Sequence, residues 1–237
     1  MRVPRGLNDM KRDLAFDRPA ALLYGGQLAK VVAIDDPQGL NRVQVRLFAF
    51  DDIGAQDAPM WARVVAPFAG NHRGTFFMPD VDDEVLVVFI GGDARHPLVL
   101  GGLWSGSATA PAELGAEGNR FKRIRSKNGI VVTLDDRQGQ ETLTLETPGG
   151  QTLTLKDGPG SAKLEDSNGN TITLDSSGIT LDCAATVKVN ASKVDVTAGM
   201  VKVDAAISTF SGIVKCDTLI STSVISTSYT PGAGNIW

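Results

Sequence analysis

His72 and His96 are the only histidines in the chain. Neither belongs to an HxH or HExxH arrangement, so a metal ion would meet two scattered imidazoles at most. Cys183 and Cys216 are equally isolated, with no CxxC or Cys/His companion, and read as small buried hydrophobes rather than a disulfide or thiolate site. Carboxylates gather at Asp51 and Asp52 and at Asp82, Asp83 and Glu84, residue types that can relay a proton or hold a hard cation. Neighbouring strand residues point to opposite faces, however, so such runs do not converge unaided. They read as solvated turn acids. The GGD of residues 91–93 is like one piece of a calcium-binding β-roll repeat, but it occurs once. GxSxG, a phosphate loop and a Cys/His nucleophile pair are all missing. The sequence predicts no catalytic residue, no metal site and no cofactor.

Composition narrows the partners. The 237 residues are 42% hydrophobic and carry a net charge of only -4, with a pI near 5.2. That balance argues against sequence-independent nucleic-acid binding, which needs clustered Lys and Arg. The N-terminus opens with basic residues, but Asp9, Asp13 and Asp17 interrupt what would have to be the apolar core of a secretory signal. No run approaches the roughly eighteen apolar residues of a transmembrane helix. The expectation is a protein without a signal peptide, assembled in the cytoplasm.

The elements fall into two halves of different character. After an N-terminal arm, 1–24, short alternating or apolar runs occur at 27–34, 42–48, 60–66, 75–78, 84–90 and 97–104. Turn clusters such as DDPQG and GGDARHP separate them. This spacing predicts a small antiparallel barrel over 25–104, with Trp61, Phe48, Phe50, Phe68, Phe76, Phe77 and Phe89 as aromatic core volume. A Gly, Ala, Pro and Ser-rich linker follows at 105–120. From Phe121 onward the only further aromatics are Phe210, Tyr229 and Trp237. Short strands follow one another there, first in units of eight to ten residues and later of seven, as in stacked repeats.

The seven-residue part, TVKVNASKVDVTAGMVKVDAA, has the period of a coiled coil. Its valines, Val187, Val189, Val194, Val196, Val201 and Val203, are spaced two and five, whereas a coiled-coil seam needs three and four. Residues two apart lie about 200° around a helix but share one face of a strand. Strands this short, with long open edges, need partners. A single-chain solenoid needs about twenty or more residues per turn, so seven-residue units fit one face of a triangular prism completed by two identical chains. The six valines are expected to stack on the axis of that homotrimer.

At this point the residues resemble a known family. IDDPQGLNRVQVRLF, MWARVVAPFAG and GTFFMPDVDDEVLVVFIGGDARHPLVLGGLW are similar, as an ordered set, to the central spikes of contractile injection systems, namely phage baseplate assembly protein V and the VgrG-like spikes. Asp82 departs from the pattern, standing where the family usually has Gly. The resemblance implies an all-β chain: an N-terminal OB-like barrel over 25–104, then a C-terminal intertwined trimeric β-helix, or β-prism, over 121–237. It implies a structural role, capping the tube at the baseplate centre and piercing the target envelope. The implied partners are two further copies of the chain, baseplate hub and tube proteins through the barrel, and a PAAR-like cone or cargo at the C-terminal tip. Nucleic acid is not among them, and membrane contact is limited to puncture. The ending TPGAGNIW looks like that of phage-type members, which makes Tyr229, Gly232, Gly234, Asn235, Ile236 and Trp237 the tip or partner contact. Tip iron held by HxH does not carry over, because this C-terminus has no histidine. The rival readings are a trimeric tailspike enzyme cleaving polysaccharide through groove acids and an OB-fold binder of single strands.

Overall fold

A computed structural model describes residues 23–50, 58–115 and 118–228. The chain divides into two units, Met1–Thr186 and Val187–Trp237. The described residues form fourteen β-strands with two short 3-10 turns and no α-helix.

The first strands are β1 (Gln27–Ala33), β2 (Arg42–Leu47), β3 (Met60–Val64), the short hairpin β4 (Ala69–Gly70) and β5 (Arg73–Gly74), β6 (Glu84–Phe89) and β7 (Pro97–Gly102). Five of them close a barrel in the order β1-β2-β3-β7-β6. The spacing predicted an antiparallel barrel, yet β3 and β7 run parallel, with Arg63 opposite Leu98. The reason is parity: an odd number of strands cannot alternate direction all the way round a closed ring, so one neighbouring pair must be parallel.

Alternation fixes the interior. β2 and β6 each bury every second residue, and Val31, Val43, Val45, Val85, Val87 and Val99 are fully buried. Ala29, Leu47, Ala62 and Phe89 complete the core. The expected aromatic core is therefore corrected to an aliphatic one. Of the seven aromatics, Phe89 alone is buried, Phe50 packs partly against the core, Trp61 is half-buried, and Phe48, Phe68, Phe76 and Phe77 are exposed. A five-stranded barrel is narrow, and β-branched side chains fill it without excess volume.

Two acidic residues hold the barrel's loops. The Asp36 carboxylate accepts the backbone N–H groups of Gln38, Leu40 and Arg42 at 3.1, 3.1 and 3.2 Å. It also accepts two hydrogen bonds from the Arg42 guanidinium, at 3.0 and 2.7 Å, and Arg42 in turn lies over the Trp61 ring at 5.7 Å. The charge-assisted bonds from Arg42 hold the Asp36 pKa well below the usual carboxylate range. Asp82 adopts φ +78°, the left-handed conformation that glycine takes most easily. Here its carboxylate pairs with Lys30 at 2.7 Å, while its N–H bonds the Val31 carbonyl at 2.9 Å.

Beyond the linker the chain folds on itself as a meander. β8 (Phe121–Arg125), β9 (Val131–Asp135), β10 (Thr142–Glu146), β11 (Thr152–Lys156), β12 (Ser161–Glu165), β13 (Thr171–Asp175) and β14 (Gly178–Asp182) pair consecutively in one antiparallel seven-stranded sheet. One turn recurs on alternate hairpins: Ser126–Ile130, Thr147–Gln151 and Asp166–Asn170. In each, the first residue's carbonyl accepts the N–H of a glycine at the fourth place, at 3.0, 3.0 and 3.2 Å. Its side-chain oxygen accepts the N–H of the fifth residue, at 2.9, 3.2 and 2.9 Å. Those glycines stand at φ +90°, +84° and +83°, as this class of hairpin loop requires.

The Asp36 pKa lies below its unfolded value near 3.9, so the carboxylate's contribution is complete above about pH 4 and is lost as pH falls through the folded value. Asp36→Asn is expected to lower the melting temperature at about pH 7 and to leave a smaller difference between wild type and variant at about pH 2. Circular-dichroism melts of the full chain across that range check it.

Candidate trimer interface

The sheet has two unlike faces. Cross-strand register places Leu143 between Leu134 and Leu155, and the row continues through Ala162, Leu174 and Ile179. A second row runs Ile124, Val132, Leu145, Leu153, Leu164, Ile172 and Leu181. The intervening residues point the other way, where Thr133, Thr144, Thr154, Lys163, Thr173 and Thr180 form a polar row. The TLTLE, TLTLK and TITLD strands thus send every leucine or isoleucine to one side. Leu134, Leu145, Leu155, Leu164, Leu174 and Leu181 are nonetheless exposed in the single chain. Two apolar rows, one across six strands and one across all seven, make a patch of the kind that marks an interface.

The second unit is unlike the sheet. From Val187 to Ser228 no described residue belongs to a strand or bridge, so the chain supplies this segment with no ladder of its own. Val187, Val189, Val194, Val196, Val201 and Val203 are all exposed. Residues between and beside them carry the charges: Lys193 pairs with Asp195 at 2.6 Å and Lys202 with Asp204 at 3.8 Å. Each ion pair joins residues two apart, on the face opposite the valines. Valines and charged residues alternate here, so that in an extended chain they would fall on separate faces. Tyr229, Gly232, Gly234, Asn235, Ile236 and Trp237 lie outside the described residues.

The acids are engaged in turns. Asp83 accepts the Asp80 N–H at 2.8 Å, and Asp93 of the GGD takes the Arg95 guanidinium at 2.6, 3.0 and 3.1 Å, which holds its pKa well below the carboxylate range. Asp51 and Asp52 lie outside the described residues. His72 and His96 are exposed, Cys183 and Cys216 are free thiols, and no three His, Cys, Asp or Glu side chains among the described residues gather as a metal site would require. An open groove bordered by Phe77, Trp104, Pro111, Arg123 and Lys127 brings no pair of acids together. No helix among the described residues is long and apolar enough to cross a membrane.

Comparison with known proteins agrees with this division. Residues 27–104 match the type VI secretion system/phage-baseplate injector OB domain, and residues 142–204 match the phage baseplate V C-terminal trimerisation domain. The second match spans both the leucine-faced sheet from β10 and the six valines. The chain is 37% identical over 141 residues to the type VI secretion system spike protein VgrG4b of Pseudomonas aeruginosa, covering 54% of this chain and 17% of the relative. It is 29% identical over 149 residues to VgrG1a of the same organism, covering 56% and 23%. With the spike protein VgrG3 of Vibrio cholerae it shares 28% identity over 135 residues, covering 53% and 12%. The chain therefore spans less than a quarter of the length of these relatives.

Leu164 and Lys163 are sequence neighbours on opposite faces, which separates the apolar face from the fold of the sheet. Leu164→Lys is expected to weaken the trimer by about 2 kcal/mol or more per buried leucine, whereas Lys163→Ala should leave assembly near wild type. Analytical ultracentrifugation of the two variants over a dilution series provides the comparison.

Proposed function

Because the chain is homologous to type VI spike proteins and carries both the injector OB domain and the baseplate V trimerisation domain, we propose that it is the structural spike at the centre of a contractile, tail-like injection particle. Three copies cap the tube and lead it through the target envelope. One observation carries this reading: beyond the barrel the described residues leave a leucine-rich face exposed and, from Val187, a backbone unpaired within its own chain. In a threefold assembly both become interior, and no strand edge is left open.

Each region then has a task. The arm at 1–24 precedes the barrel, 25–104, which docks to hub and tube proteins; the linker, 105–120, passes to the spike, 121–237. Val187, Val189, Val194, Val196, Val201 and Val203 stack in layers on the threefold axis. Tyr229, Gly232, Gly234, Asn235, Ile236 and Trp237 form the blunt tip, on which a PAAR-like cone or cargo sits. The trimer assembles in the cytoplasm as part of the particle and meets a membrane during puncture. Mechanical load suits this architecture, because a closed ladder shares axial force among many backbone hydrogen bonds at once.

The role is mechanical, with no catalytic step, cofactor or metal assigned. The relatives are named as spike proteins, and the polysaccharide-cleaving alternative finds no support among the matches. Single-strand binding by the barrel is disfavoured by the net charge of -4.

Native mass spectrometry tests the assembly, with three chains of 25.0 kDa as the expected particle. A monomer would remove the spike reading. Val194→Asp would set three carboxylates facing one another at one level of the axis, at a cost of at least several kcal/mol, and is expected to abolish the heat-resistant trimer. Survival of that trimer would take Val194 off the axis.

A further inference from the structure

The linker is tethered on both sides of its tip. The Arg123 guanidinium donates to the Pro111 carbonyl at 3.1 Å and the Lys122 ammonium to the Asn119 carbonyl at 2.7 Å, so β8 holds the chain where it departs and where it returns. Between these anchors the Gly118 N–H donates to the Gly115 carbonyl at 3.1 Å. Glu113 and Leu114 stand on this tip. Leu114 is 81% exposed, and Glu113 makes no hydrogen bond or ion pair with a described residue. A loop anchored in this way presents both side chains with little further ordering to be done on docking.

Beside the tip lies its chemical complement. An open groove of about 670 Å³ is walled by the Phe77 and Trp104 rings, exposed by 70% and 71%. Arg123, Arg125 and Lys127 line it, and no acid does among the described residues. Two of these cations are engaged: Arg123 with Pro111 and Thr133, and Lys127 with Asp80 at 3.3 Å. Arg125 has no partner among the described residues.

Resting on the trimeric spike reading, we infer that Glu113 and Leu114 of one chain dock in the Phe77–Trp104 groove of the next, Leu114 on the two rings and the Glu113 carboxylate on the Arg125 guanidinium. Charge selects a second copy as the occupant. The arm at 1–22 carries five Lys and Arg against three Asp, and a basic groove repels it. The linker tip supplies the missing negative charge with an apolar residue beside it. Symmetry supplies the geometry. The tip's own pocket and the groove share Trp104, Pro111 and Arg123, so tip and groove stand at nearly one height along a threefold axis. Rotation about that axis changes no height, and the head-to-tail contact closes into a ring of three clasps. Each linker is thereby tied to the neighbouring chain.

The test uses the full chain with C183S and C216S, so that only introduced thiols react. F77C/L114C is oxidised at low protein concentration, and a denaturing, non-reducing gel is read beside the native mass. Chains joined in twos and threes are expected. L114C/K127C, which keeps the Phe77 ring, should give the same. In either background Arg125→Glu or Glu113→Arg alone is expected to cut the joined fraction about threefold or more, and E113R/R125E together to restore it. Arg137→Glu, in the turn between β9 and β10, should leave it unchanged. Native trimers whose chains stay at 25.0 kDa in both cysteine variants overturn the clasp, and so does joining that is indifferent to the charge swaps. Loss of the trimer in both cysteine variants also overturns it, because a clasp at the linker adds to an assembly held elsewhere. A wild-type monomer, in contrast, overturns the spike reading itself.

Discussion

An extended backbone cannot leave its N–H and C=O groups unpaired beside apolar side chains, because burying the chain removes the water that would otherwise satisfy them. The second half of this protein meets that constraint in two ways, and repeat length decides between them. A hairpin of five paired residues with a three- to five-residue turn uses about ten residues. The units from Phe121 to Asp182 have that length and pair within the chain. Seven residues cannot supply two paired strands and a turn, and from Val187 onward the described residues form no ladder within the chain. Pairing within the chain ends where the repeat becomes too short to fold back.

The side chains follow the same division. In the sheet, Thr and Leu alternate, so that one face is finished and the other is not. The Thr face needs only water. The Leu and Ile face, with Leu164 and Leu181 exposed, remains a half-built core. The shaft takes this further, since neither its backbone nor its valine face is complete in one chain. Dependence on the partner chains thus rises from the barrel, whose valine core closes by itself, through the sheet, to the shaft.

Much of this was legible in the sequence. Five of the six apolar runs in the first half became barrel strands, because alternation over five or six residues is a strong signal; the sixth, TFFM, is a loop, as its consecutive aromatics have no period of two. The two-and-five valine spacing argued against the helix that a seven-residue period alone suggests, and no helix forms among the described residues there. Other features had no local signal. The parallel β3–β7 contact follows from ring closure, which no single run encodes. The meander was hidden because strands of one chain and strands of three chains share the same alternation, and turn length alone separates them. Asp36 stood in the sequence only as part of a DP turn, since three of its five hydrogen bonds come from Arg42, six residues on.

The acids show why chemistry-bearing residue types need not signal chemistry. Asp36, Asp93, Asp166 and Asp175 all have lowered pKa values, and in each the first cause is a side-chain hydrogen bond from a neighbour in the same turn. Asp166, for instance, is held at about 2 by Asn170 and then by Asn168. A carboxylate stabilised in its charged form by fixed donors is a weak base near neutrality and releases its proton far below the working range of a general acid. It is, however, well suited to fixing a turn, because the charge strengthens each N–H bond it accepts. The acidic residues of these loops therefore serve the fold rather than a reaction: each limits the ways in which a short strand can leave its place.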